Sequence, residues 1–161
     1  MSVSVSVSVS NSIELQSAEE TEWAGEQLAQ CITAPMILYL EGQLGAGKTT
    51  FVKGLLRGLG FEGLVKSPTY TLIELYPLQN QLIVHADLYR IKGSDELEAM
   101  GFRDYFDHHT ITLIEWASHA SEWLPKPDLL CTLTLSRDGL SRCLKMEGQP
   151  SLVNQFTGKI G

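Results

Sequence analysis

Residues 36–51 constrain the fold of this chain more than any other stretch. A short apolar run suited to a buried strand, Met36–Glu41, leads without a linker into Gly42-Gln-Leu-Gly-Ala-Gly-Lys-Thr49. That octet fits G-x-x-x-x-G-K-[S/T], the phosphate-cradling loop of nucleotide hydrolases and kinases. Behind it, Phe51, Val52, Leu55, Leu56 and Leu59 recur at helical spacing, and Gly58 and Gly60 mark the stop. Small residues let successive backbone N–H groups turn inward onto an anion, and the helix adds its positive end. The expected ligand is a nucleotide triphosphate with Mg²⁺. Gly42, Gly45, Ala46, Gly47, Lys48, Thr49 and Thr50 would surround its phosphates, with Lys48 between the β- and γ-phosphates and the Thr49 hydroxyl on the metal.

Such a site also needs a carboxylate at the end of a neighbouring strand. Two runs supply one. Gln81–Asp87 ends in Asp87 and Thr110–Glu115 ends in Glu115. One would help fix Mg²⁺, directly or through water, and the other would ligate it or orient an attacking water. Thr69 lies in the proline-marked segment Ser67-Pro-Thr-Tyr70, either as a switch threonine that senses the γ-phosphate or as part of an ordinary turn into a strand. His85 reads as a strand residue, and Trp116 and Trp123 as core or partner-surface aromatics.

The remaining pattern is mixed α/β. Ser17 followed by Glu20 is a capping-box start for a helix over about 18–32. Thr71–Tyr76 and Gln81–Ala86 read as a hairpin, as do Asp128–Ser136 and Arg142–Glu147. Ser94 would cap a short helix ending near Gly101, and a further helix is expected over about 118–124, before Pro125. Strands mixed with helices after an opening strand–loop–helix predict a P-loop-type three-layer α/β sandwich, mostly parallel, with added antiparallel hairpins. One domain is expected over 17–147. The Val/Ser-rich residues 1–16 are read as a flexible tail rather than a docked strand, and 148–161 as a loose tail.

Composition excludes several classes. No run approaches the roughly 18 apolar residues of a membrane span. The start, Met1–Ser4, lacks the basic flank of a secretory signal. Three widely spaced cysteines, Cys31, Cys131 and Cys143, contain no C-x-x-C pair and suit reduced thiols in a cytoplasmic protein. A net charge of −7 makes the chain a poor candidate for gripping nucleic acid unaided. A GTP switch would need an N/T-K-x-D guanine reader, and none occurs; an ABC-type serine-glycine-glycine signature is also missing. A small kinase acting on a metabolite or nucleoside usually closes an arginine-rich lid. The five arginines, at 57, 90, 103, 137 and 142, form no R-x-x-x-R segment. The residues therefore point to a small ATPase of low intrinsic activity coupled to a partner. The metabolite kinase, and a nucleotide-dependent binding module with negligible turnover, are its rivals.

Taken together, Glu41–Phe51, Ser67–Thr71, His85–Arg90, Asp95–Gly101 and Leu113–Trp116 resemble the TsaE (YjeE) family in order and spacing. The resemblance implies a bacterial P-loop ATPase required for threonylcarbamoyladenosine formation beside the tRNA anticodon. It implies partnership with TsaD and TsaB, with tRNA met only through that complex. It puts the 42–50 loop residues on phosphates and Mg²⁺, makes Thr69 the switch threonine, Asp87 the Walker-B-like carboxylate and Glu115 a metal-linked catalytic acid. Tyr89, Arg90 and Trp116 become candidates for shaping the site or the TsaD contact. Proline commonly follows the Glu-Trp pair in that family, whereas Ala117-Ser118 follows here.

Overall fold

The computed structural model describes residues 8–161. In chain order the elements are β1 (Val9–Leu15), α1 (Ala18–Ala29), β2 (Met36–Glu41), α2 (Lys48–Gly58), β3 (Ile73–Pro77), β4 (Leu82–Asp87), α3 (Ser94–Ala99), β5 (Thr110–Glu115), β6 (Leu129–Leu135), β7 (Arg142–Gly148) and α4 (Pro150–Ile160). Tight 3-10 turns occupy Phe102–Tyr105 and Ala117–Ala120.

Among the described residues, these seven strands form one sheet in the order β1-β7-β6-β2-β5-β4-β3. The centre, β6-β2-β5-β4, is parallel; β3, β7 and β1 add antiparallel edges. This is the three-layer α/β sandwich expected from the sequence. Every residue of β5 is buried, as a central parallel strand covered on both faces requires. One face carries Leu38, Leu40, Ile83, Ile111, Leu113 and Leu133 against Leu28, Phe51, Leu55 and Phe156 of α1, α2 and α4. The other carries Val84, Ala86 and Ile114 against Leu88, Leu97, Phe102 and Leu124.

The capping signal at α1 is realised. Ser17 Oγ accepts from the Glu20 amide at 3.1 Å, and the Glu20 carboxylate reaches back to the Gln16 amide at 2.6 Å. Helix α1 then packs very closely on α2. A Cβ at Gly54 would stand 1.9 Å from the Glu22 carbonyl oxygen, and one at Gly25 would stand 2.2 Å from that of Phe51. Glycine at these two positions sets the helix spacing, and so the height of α2 over the sheet.

Four expectations are corrected. Residues 148–161 are not loose: Pro150 opens α4, which buries Leu152, Val153, Phe156 and Ile160. That 3–4 spacing is a helical stripe whose intervening polar residues hide it in so short a segment. The flexible tail expected over 1–16 is also wrong in part, because Val9–Leu15 is a strand paired along its whole length with β7. Pairing removes an open edge that β7 would otherwise present; the Val/Ser alternation over residues 1–7 lies outside the described residues. In place of a helix over 118–124 there is only the turn Ala117–Ala120, since a run this short before Pro125 suits 3-10 geometry. Ser94 does not cap α3. Gly93 holds the cap position, and the Glu96 carboxylate accepts from the Lys92 amide instead.

Candidate nucleotide site

The glycine loop leaves the C-terminal end of β2, the central parallel strand, and turns directly into α2. Three positive φ values make the turn: 151° at Gly42, 83° at Gly45 and 103° at Gly47. A side chain would strain each of them. At Gly42 a Cβ would also strike the Leu133 carbonyl oxygen at 2.6 Å, whereas the space beside Gly45 is open. Lys48 is the first residue of α2, and no acidic side chain occupies that first turn to compete for the helix's positive end.

Register brings the two strand-end carboxylates together. Asp87 of β4 and Glu115 of β5 are direct partners in the parallel ladder, and both are buried. Two-residue alternation turns His85, Asp87, Leu113 and Glu115 to the face that carries α2. Lys48 reaches back across the loop, its Nζ donating to the Gly42 carbonyl at 2.6 Å and lying 3.5 Å from Glu115 Oε1. The other carboxylate oxygen, Oε2, is 2.8 Å from His85 Nε2. Burial pushes the Glu115 carboxyl upward. The hydrogen bond and charge of His85, with the Lys48 ammonium, more than offset this and hold it below the usual carboxylate value. Asp87 Oδ1 accepts from the Tyr89 amide at 2.9 Å, which fixes that carboxylate at the strand end.

A cavity of about 470 Å³ opens over these groups. Gly45, Gly47, Lys48, Thr49, Thr50, Thr69, Asp87 and Glu115 all line it, so eight residues singled out in the sequence share one space. Gly42 and Ala46 do not. They border an adjoining, more apolar hollow of about 350 Å³ with Gln43 and Thr132–Leu135. Thr69 Oγ1 is 2.8 Å from Ser67 Oγ at the cavity edge. Tyr89, Arg90 and Trp116 also line the cavity. Trp116 has a left-handed backbone, φ 57°, and its ring lies 5.0 Å from Lys48 Nζ and 5.0 Å from the Tyr89 ring. The segment after Trp116 follows from that turn: Ala117 and Ala120 are buried beneath it without a proline. Tyr70 is 80% exposed at the rim, with the Arg90 guanidinium 4.7 Å from its ring.

Sequence reasoning missed two neighbours. His85 was visible only as a strand residue, although its position two before Asp87 puts it on the same face. Arg142, far away in the chain, starts β7 beside the loop; its Nη1 donates to Thr21 Oγ1 at 3.1 Å and would lie 3.5 Å from a Cβ on Gly47. No local pattern announces that approach. Cys31, Cys131 and Cys143 are unpaired among the described residues, and burial pushes the Cys131 thiol up to about 12. Among the described residues no helix is long and apolar enough to cross a membrane.

Comparison with known proteins extends this geometry. The family model described as "Threonylcarbamoyl adenosine biosynthesis protein TsaE" matches residues 15–143. The Haemophilus influenzae tRNA threonylcarbamoyladenosine biosynthesis protein TsaE is 45% identical over 117 residues, 73% of each chain. Its Bacillus subtilis counterpart is 39% identical over 120 residues, 74% of this chain and 75% of that one. Among solved structures, Bacillus subtilis YdiB superposes with a TM-score of 0.72 at 28% identity, covering 96% of this chain and 95% of that one.

Proposed function

This chain belongs to the TsaE family, and on that premise we propose that it is a magnesium-dependent ATPase serving tRNA threonylcarbamoyladenosine biosynthesis. It works as an accessory protein, coupled to a TsaD–TsaB complex through which alone it meets tRNA. The family relationship supports the place in tRNA modification. The observation that carries the chemistry is the convergence of Lys48, Thr49, Asp87 and Glu115 on one cavity at the N-terminal end of α2.

The residues fit a magnesium–triphosphate. The loop presents backbone amides and one buried ammonium to an anion, with open space beside Gly45. Among the described residues no group of three or more His, Cys, Asp and Glu side chains could hold a metal ion alone. Magnesium suits so sparse a set, because it uses one or two carboxylates and completes its shell with phosphate and water. When bound, the ion would neutralise charge gathering on the phosphate oxygens.

The chain's own residues do the rest. Residues 42–50 hold the phosphates, and Lys48 exchanges its contacts with Gly42 and Glu115 for phosphate oxygens. Thr49 and one of Asp87 and Glu115 would hold the metal when it is bound, while the other would orient water for attack. Thr69 reports the presence of the terminal phosphate from its loop. Only Arg90 among the arginines lines the cavity, which favours slow, partner-coupled hydrolysis over transfer to a second metabolite.

The test is ATP hydrolysis by the purified protein, alone and with TsaD and TsaB, beside a labelled-ATP screen against metabolites. Stimulation by the two partners with no phosphorylated metabolite is the expected result. A phosphorylated product without partner stimulation would replace this reading with the kinase.

A further inference from the structure

We propose that His85 is a positioning residue, which fixes the Glu115 carboxylate through Nε2 so that Oε1 stays presented to the nucleotide cavity. The assignment rests on the magnesium–nucleotide reading above and deepens it by taking Glu115, of the two strand-end carboxylates, as the one on the metal.

The placement follows from the ladder. His85 pairs with Leu113 in the β4–β5 register, so Glu115, two residues further along β5, is its diagonal neighbour on the same face. Both side chains are buried, with 1% exposure for His85 and 5% for Glu115. Their contact is 2.8 Å, Nε2 to Oε2. Because an ionised carboxylate only accepts, the imidazole proton in this contact sits on Nε2. The other ring nitrogen, Nδ1, is buried and has no partner among the described residues. The ring therefore directs its one polar interaction at Glu115 and ties together nothing else.

The consequence is a division between the two carboxylate oxygens. Oε2 faces His85, while Oε1 faces Lys48 at 3.5 Å, a distance loose enough to be exchanged. A glutamate has three side-chain torsions, and a free one would fold both oxygens towards the ammonium. Held at Oε2, Glu115 keeps one oxygen in the cavity after Lys48 turns to phosphate. Ligating side chains are commonly oriented in this way by a hydrogen-bonded neighbour that never touches the metal.

The test uses the full chain with Mn²⁺ as a spectroscopic substitute for magnesium and a non-hydrolysable ATP analogue. The wild type is compared with His85→Leu and His85→Gln, whose side-chain amide can donate from near the Nε2 position. Nucleotide affinity in EDTA and thermal unfolding are recorded in parallel. His85→Leu should weaken Mn²⁺ binding in the ternary complex by about 10–100-fold. Affinity in EDTA should not change, and His85→Gln should recover most of the loss. A folded His85→Leu protein with wild-type Mn²⁺ affinity would overturn the assignment, as would equal losses in the Leu and Gln variants. Should His85→Leu fail to fold, His85→Asn takes its place. Its amide stops short of the Nε2 position, and equal Mn²⁺ affinity in the Asn and Gln variants would overturn the assignment. A wild-type protein without metal-dependent nucleotide binding would overturn the magnesium reading itself, and His85's role with it.

Discussion

Glu115 stands between a histidine and a lysine, and its chemistry depends on which of them it keeps. Replacing it with glutamine preserves size and one acceptor but removes the charge. Glu115→Gln should retain ATP yet lower turnover by about two to four orders of magnitude, the usual worth of a positioned acid or base. Nucleotide trapping on a filter and steady-state hydrolysis would check this together, and turnover near wild type would favour the binding-module rival. The same carboxyl predicts a pH effect. Its folded-state pKa lies below the ordinary 4.5, so its stabilising contribution is complete above 4.5 and is lost as pH falls through the lower folded value. Acidification from about pH 7 to about pH 3 should therefore narrow the Tm gap between wild type and Glu115→Gln. Asp87 and Glu115 were legible because each ends an apolar run. His85 was not, because a single buried imidazole in a strand has no pattern of its own.

The α1–α2 contact decides where Lys48, Thr49 and Thr50 sit. A methyl group at Gly54 meets backbone rather than a flexible side chain, so the helices must separate. Gly54→Ala should cost about 1–3 kcal/mol of overpacking, read by urea unfolding. It should also weaken nucleotide binding, because α2 shifts with its first turn. Gly60→Ala is the internal control. It meets nothing within 4 Å and adds only the strain of φ 103° beyond the end of α2. Helix α2 was readable from its apolar spacing and stop glycines, and α1 from its capping box, although α1 ends at Ala29 rather than near 32. Their separation was not, since glycines inside a helix read in sequence as weak points rather than as contact surfaces. Helix α4 escaped notice for another reason. Its stripe packs chiefly on β1 and α1, which lie more than a hundred residues earlier.

Across the whole molecule, the sheet divides into a working half and a closing half. Strands β2, β5 and β4 bear the loop and both carboxylates, whereas β7, β1 and α4 complete the far side. Deleting residues 149–161 would expose partners of Leu152, Val153, Phe156 and Ile160, each buried side chain being worth about 1.5–3 kcal/mol. The truncated chain should lose solubility or unfold at much lower denaturant, measured by yield and by urea midpoint. Retention of wild-type stability would show that α4 is dispensable. The mostly parallel sheet and its two antiparallel hairpins followed from the glycine loop and the turn signals, but the strand order did not. Nor did strand β1 and helix α4, because the first described strand pairs with the last and α4 packs across both.

The one-to-one pairing of Asp87 with Glu115 also bears on how preparations of this protein should be quantified. A slip of one residue between β4 and β5 would turn one carboxylate away from the other and from Lys48. Misaligned molecules would then be silent, with no partly active class between them and the native form. Refolded material of mixed quality should show a lowered number of nucleotide-binding equivalents per chain with an unchanged dissociation constant. Stoichiometry, in this protein, is a census of correctly aligned sheets.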